Sequence, residues 1–322
     1  MPGQPLGGSP PPFPPVSLGL AALGRPGYLN LGHGHEIADR SVPGMRQLTH
    51  EVLDTAYAAG VRHVDVAKSY GLAEQFLAEW IDARSPADVV VTSKWGYAYV
   101  GNWQVGAHPQ ETKDLSATRL RSQVPETLAL FGDRLVGLLI HSATIESGVF
   151  DDAAVRDEMA ALAESGVPVG LSTSGPRQAD AVRIAVSLAQ SGQVPFSLVQ
   201  TTWNLLEPSA ASALGEAREA GFTVFVKEAV ANGRLTERGV VPDGLAEVAA
   251  KHAVGPDAVC IAAALAQPFA PTVLSGAVTS EQVRENLKAT QVRLDADDLE
   301  ALRTLAQEPG RYWETRSALP WR

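Results

Sequence analysis

Four residues in this chain, Asp65, Tyr70, Lys94 and His141, have types suited to placing a proton on an oxygen while something else attacks carbon. A phenol ordinarily titrates near 10 and is a poor acid at neutral pH. An ammonium close to it stabilises phenolate and lowers that value, so Lys94 beside Tyr70 would make the phenol a usable proton donor and acceptor. His141 can hydrogen-bond the same oxygen or orient a bound carbonyl. Burying Asp65 or Lys94 alone would cost several kcal/mol, on the order of the penalty for any isolated buried ion. As a pair they satisfy each other, and Asp65 keeps Lys94 charged and in place.

For this to work, the surrounding elements must bring the four together. Asp65 lies in "VRHVDVAKSYG" (61–71), Lys94 in "DVVVTSKWG" (88–96) and His141 in "RLVGLLIHS" (134–142). Each segment opens as a packed, pleated strand and turns polar at its end. Strand alternation puts His63 with Asp65, Thr92 with Lys94, and Leu139 with His141 on common faces. The pattern recurs along the chain. "VSLGLAAL" (16–23), "VPVGLSTS" (167–174), "FSLVQTTW" (196–203), "FTVFVKEAV" (222–230) and "PTVLSGAV" (271–278) complete a set of eight strand segments. Helical patterns such as "AEQFLAEWIDAR", "QADAVRIAVSLAQSG" and "DAVCIAAALAQ" stand between them. Such alternation means parallel strands joined by crossover helices. Eight units without a dividing linker predict one α/β domain, a (β/α)8 TIM barrel over residues 16–322, after a Pro/Gly-rich flexible arm at 1–15. No GxGxxG follows an early strand, which argues against an open dinucleotide-binding sheet. In a barrel, chemistry gathers at the C-terminal strand ends. Asp65, Lys94 and His141 sit there, as do Ser172 and Thr173 (fifth strand), Gln200 (sixth), and Lys227 with Glu228 (seventh).

The bulk composition narrows the partners. The 322 residues are 45% hydrophobic and 19% charged, enough for a large core and too apolar for wholesale disorder. A net charge of −10 disfavours nucleic acid and anionic membrane surfaces, leaving a small molecule as the expected partner. The one cysteine, Cys260, allows no internal disulfide and lies in an apolar helical run, where an inert buried thiol is expected. The N-terminus lacks the charged-then-apolar pattern of a signal peptide, and no stretch approaches bilayer-spanning length. The expectation is a soluble cytoplasmic protein; oligomeric state leaves no signal.

Taken in order, "DVAKSYG", "TSKWG" and "LLIHS" resemble the D-T-A-x-x-Y-G, strand-end lysine and strand-end histidine motifs of the aldo-keto reductases. The similarity runs from "SLGLAALG" to "SEQVRENL". It implies a catalytic tetrad of Asp65, Tyr70, Lys94 and His141, reducing aldehydes or ketones with NAD(P)H and needing no metal. It also implies that Ser172, Thr173 (in place of asparagine) and Gln200 hold a nicotinamide carboxamide. "SGAVTSEQVREN" resembles the family's adenine and ribose-phosphate segment, with Gly276, Gln282, Glu285 and Asn286 in matching places. Lys227, next to Glu228, stands where the family usually stacks a tyrosine on the nicotinamide; Trp203 is a substitute for that contact, and Lys227 can instead approach the cofactor's phosphates. NADP is favoured over NAD on the family's habit, with Thr279, Ser280 and Arg284 as donors to the extra phosphate.

Other readings carry less. His33 and His35 form an H-x-H after the first strand, but the metal-dependent barrels that use one need further histidines at later strand ends. Lys94 as a Schiff-base lysine would need a depressed pKa, whereas Asp65 keeps it charged. Lys68 reads as a solvated loop residue and His63 as a satisfied interior one. Trp95, Tyr97, Tyr99 and Trp103 fall in a long loop to about residue 115 that, with Tyr28 and the C-terminal "RYWETRSALPWR", can line a substrate pocket. A nicotinamide-binding redox-sensing regulatory subunit on the same barrel is the alternative to an enzyme.

Overall fold

A computed structural model describes residues 13–28, 31, 36–269 and 271–320. His33, His35 and most of the N-terminal arm lie outside the described residues. The strands in chain order are β1 (Val16–Gly19), β2 (His63–Asp65), β3 (Val90–Trp95), β4 (Tyr97–Tyr99), β5 (Glu111–Lys113), β6 (Leu135–Ala143), β7 (Val169–Thr173), β8 (Phe196–Thr202), β9 (Thr223–Lys227) and β10 (Thr272–Ser275). Eight of them close in the order β1-β10-β9-β8-β7-β6-β3-β2, every neighbour parallel, so the barrel expected from the sequence is the fold.

Helices α1 (Val42–Ala58), α2 (Ala73–Arg84), α3 (Ala117–Phe131), α4 (Ala153–Glu164), α5 (Gln178–Gln190) and α6 (Ala211–Glu219) alternate with the strands. The later ones are α7 (Asp243–His252), α8 (Pro256–Leu265), α9 (Ser280–Leu287), α10 (Ala296–Arg303) and α11 (Pro309–Ser317). Their ends follow local chemistry. Ser41 and Asp152 accept from the first-turn amides of α1 and α4, and Asp295 with Asp298 forms a capping box on α10. Among the described residues no single helix is long and apolar enough to cross a membrane. Cys260, on α8, is fully buried in the barrel wall.

The strand interior is layered. Leu139, Leu198, Phe225 and Leu274 form an apolar layer, and Phe13 packs against it with its ring 4.9 Å from that of Phe225 and 4.7 Å from that of His63. β7 and β8 approach so closely that a Cβ on Gly170 would lie 2.1 Å from the Leu198 carbonyl oxygen, so only glycine fits there. Above this layer the register aligns the polar residues: Asp65 beside Thr92, Ser172 beside Gln200, and Thr202 beside Lys227.

Two features depart from the sequence reading. The stretch after β3 is folded back on itself: β4 and β5 pair antiparallel, Tyr97 opposite Lys113 and Tyr99 opposite Glu111, and Trp95 is fully buried. Lys68 is not solvated. It bridges Glu74 of α2 at 3.0 Å and Glu126 of α3 at 2.7 Å, while buried Glu74 also accepts from Ser93 and Thr127. A carboxylate buried under that loop requires a cation above it, and Lys68 supplies it.

Candidate active site

The ends of β2 and β3 place Asp65 and Lys94 side by side in the barrel mouth, both buried and ion-paired. Lys94 Nζ also donates to the Val66 carbonyl at 3.0 Å. The second oxygen of Asp65 accepts from Thr92 Oγ1 at 2.7 Å and from Gln200 Nε2 at 3.0 Å. The carboxylate is thus saturated with three donors from two strands, β3 and β8, which lets a charge persist in the interior. His63 lies one layer below, fully buried between Ser17 and Thr92, and burial depresses its pKa to about 4. It is a neutral interior residue.

Tyr70 returns over this pair from the turn after β2. Its ring stands 4.8 Å from Lys94 Nζ and 5.6 Å from the His141 ring, edge on. Burial raises the phenol well above its ordinary value, and the charge on Asp65 adds to the rise. This corrects the expectation that Lys94 lowers it: Asp65 neutralises the ammonium, which faces the ring. Tyr70 is therefore a fully protonated phenol at neutral pH. His141, at the end of β6, is held well below its usual pKa by burial and by the surrounding cations Lys94, Lys227, Arg25 and Lys113. Its Nδ1 lies 3.4 Å from Ser69 Oγ, so with that hydroxyl donating, the ring proton sits on Nε2. Tyr97 flanks it with ring centroids 4.8 Å apart.

From this mouth a cleft runs between the ends of β9 and β10. Asp65, Tyr70, Gln200, Lys227 and Glu228 line one end, and Gly276, Gln282, Asn286, Arg238 and Asp257 the other. Lys227 donates to Thr202 Oγ1 at 2.8 Å and lies 3.7 Å from Glu228. Burial lowers its pKa to about 8 against the pull of Glu228. Glu228 sits at a positive φ of 58° and is gripped by the Arg316 guanidinium of α11. Burial opposes its ionisation, but Arg316 and Lys227 outweigh burial and hold it at about 2.

The residues expected around a cofactor divide into two groups. Gln200, Lys227, Glu228, Gly276, Gln282 and Asn286 line the cleft. Ser172 borders the mouth, its oxygen accepting from the Ser142 amide at 2.8 Å. Thr173 faces the opposite side of β7, buried, with its hydroxyl 3.2 Å from that of Thr201. Thr279 caps α9, Ser280 bonds Thr55 at 2.7 Å, and Glu285 pairs with Lys288 on the surface. Trp203 packs beside Phe269 in the outer core and does not line the cleft. It is no substitute for the stacking tyrosine, because the residue after β8 turns outward.

Two residues beside the mouth and cleft escaped the sequence reading. Buried Arg25, after β1, bonds the Ser69 carbonyl and Glu111 of β5 and stands 5.7 Å from the Tyr70 ring. An arginine inside the apolar "LAALGRPG" was the available signal, since a buried guanidinium needs a carboxylate partner. Arg238 lines the far end of the cleft, where it and Gln282 both bond Glu36. Only the folded loops reveal that meeting.

A family model for the aldo/keto reductase family matches residues 37–307. Among solved structures, an aldo-keto reductase from Bacillus halodurans in its holo form is 19% identical over 91% of this chain and 92% of its own, with TM-score 0.66. A thermostable aldo-keto reductase in complex with the inhibitor epalrestat gives 22% identity over 91% and 95%, with TM-score 0.67. An aldose reductase from Giardia lamblia gives 18% over 91% and 92%, with TM-score 0.63. At these identities the structures speak for the fold. A search of curated proteins finds no match. With 37–307 matched and the closed barrel in place, the chain belongs to the aldo/keto reductase family.

Proposed function

We propose that this protein reduces aldehyde or ketone carbonyls to alcohols with a nicotinamide dinucleotide, NADP(H) in preference to NAD(H), and that Tyr70 is the proton donor. The observation that carries the reading is the convergence of Tyr70, His141 and the Lys94–Asp65 pair at the mouth of a cleft that continues past Gly276 to Gln282 and Asn286. The cleft residues fit such a cofactor. At its far end the Asn286 side-chain oxygen is buried without a hydrogen-bond partner, as an acceptor awaiting an exocyclic amine would be. Nothing lies within 4 Å of a Cβ built on Gly276, leaving space along the wall. Gln200, whose amide nitrogen is committed to Asp65, keeps its oxygen for a carboxamide. Arg238, which lines the far end and pairs with Glu36, is the cation we assign to an added phosphate.

A reduced nicotinamide bound in this cleft supplies the hydride. The chain's own groups manage the oxygen. Neutral His141 donates from Nε2 to the carbonyl oxygen and fixes its orientation. Tyr70, protonated in the resting site, transfers its proton as negative charge builds on that oxygen. The phenolate left behind forms beside the Arg25 guanidinium, the cation that favours it, with the Lys94–Asp65 pair packed against the ring. Replacing Tyr70 by Phe should lower turnover by about 10²–10⁴-fold and change the NADPH dissociation constant less than about twofold, because the ring and its packing stay. Steady-state kinetics with a panel of aromatic and aliphatic aldehydes, beside a fluorescence titration, makes the comparison. Undiminished turnover in Tyr70→Phe removes Tyr70 as donor; tight dinucleotide binding with no carbonyl reduced would favour a redox-sensing regulator.

A further inference from the structure

We propose that Lys227 makes the cleft discriminate between oxidation states of the nicotinamide, retaining the reduced, uncharged ring and repelling the oxidised pyridinium. The inference rests on the reading of the cleft as a nicotinamide site. It begins with charge pairing at the mouth. Asp65 is matched by Lys94, and Glu111 by Arg25. Glu228, however, faces two cations. Arg316 binds it through both Nε and the terminal nitrogen, whereas Lys227 touches it only at 3.7 Å and spends its hydrogen bond on the Thr202 hydroxyl. The wall that holds Lys227 thus carries a positive charge that its one carboxylate does not cancel.

Lys227 shares its end of the cleft with Asp65, Tyr70 and Gln200. A ring that presents its reactive carbon to a carbonyl held by Tyr70 and His141 must lie among these residues. Reduced nicotinamide is neutral there and oxidised nicotinamide carries a full positive charge. A unit-charge repulsion over a side-chain distance, at an effective dielectric of about 20 and partly offset by Glu228, amounts to about tenfold in affinity. The oxidised product therefore leaves readily. The groups facing Lys227 keep their charge near neutrality: Glu228 titrates near 2, Arg316 is raised further, and His141 is already neutral. Lys227, with its value near 8, is the one that changes between pH 7 and 9.

The test measures dissociation constants for NADPH and NADP+, with NADH and NAD+ in parallel, by fluorescence and calorimetry on the whole protein. In the wild type at pH 7 the oxidised form should bind about tenfold more weakly, and the gap should narrow as pH rises to 9 and Lys227 loses its proton. Lys227→Met should close most of the gap at pH 7 and make the ratio independent of pH. Lys227→Arg should keep the gap and lose its pH dependence, which decides the matter even where the methionine variant folds poorly. A ratio unchanged by pH in the wild type, or by loss of charge in Lys227→Met, overturns the inference while leaving the cleft a dinucleotide site. Failure of both forms of both dinucleotides to bind overturns the cleft assignment itself.

Discussion

Asp65 can only accept hydrogen bonds, and that fixes proton positions well beyond it. Thr92 Oγ1 has one proton and gives it to Asp65, so His63 Nε2 must donate to Thr92, and His63 Nδ1 must accept from Ser17. The chain Ser17→His63→Thr92→Asp65 points every donor toward the carboxylate. Protonating His63 breaks this order, and burial resists it down to about pH 4. In the unfolded chain the imidazole takes up its proton near 6.5. The unfolded state thus binds more protons between these values, and stability falls as pH drops through that window. His63 should account for about 3 kcal/mol lost between pH 7 and 4. Urea unfolding of the wild type against His63→Gln, whose amide can bond both Ser17 and Thr92, isolates this share; parallel pH profiles would disprove it. Residue types and strand-end positions made Asp65, Tyr70, Lys94 and His141 readable in the sequence, because alternation fixes which side chains share a face. The direction of the Tyr70 shift was not readable, since it depends first on how completely the folded loops bury the phenol and then on the charge of Asp65. Nor was the place of Thr173, whose face was settled by the register of β7.

At the scale of elements, the loop after β9 is the part most dependent on its neighbours. Glu228, Ala231 and Asn232 all adopt positive φ, a conformation that costs non-glycine residues about 1–3 kcal/mol when sustained only by surroundings. The restraint comes from outside the barrel. Arg316 grips Glu228, and Asn204 donates both to the Glu228 carbonyl at 3.0 Å and to Tyr312 of α11 at 2.9 Å. Arg316→Met should free this loop, raising amide hydrogen exchange at 228–236 by about tenfold, near 1.4 kcal/mol of local opening. Exchange in β6, β7 and β8 should stay unchanged; a uniform rise across the barrel would instead mean global destabilisation. The eight barrel strands were legible because each apolar run is bounded by turn residues. The β4–β5 pairing was not, for eleven residues separate its strands and neither has the alternation or tight-turn dipeptide that marks a hairpin. The Lys68 bridge was hidden likewise, because Glu74 and Glu126 reach it from two different helices.

The whole molecule sets a cationic mouth against a net charge of −10. It places His141 among Lys94, Lys227, Arg25 and Lys113, so the local field opposes the overall charge at the point where negative charge would develop on a substrate oxygen. The formal charge read from composition gave no hint of that inversion, which arises from where strand ends and loops meet. The closure expected of eight strand–helix units is made where β1 pairs with β2 on one side and with β10 on the other. Ser17 stands on that seam beside Leu274, and it is also the first donor in the chain that ends at Asp65. The cleft is lined from both sides of that seam, by Gly19 of β1 and by Leu274 and Ser275 of β10, so its wall is complete only once the first and last strands join. A refolding chain can gather its helices while the ring is still open, but its cleft lacks one wall until β1 and β10 meet. Carbonyl reduction should return later than the helical circular-dichroism signal after dilution from denaturant, making the assay a clock for the last stitch of the barrel; simultaneous recovery would separate the two.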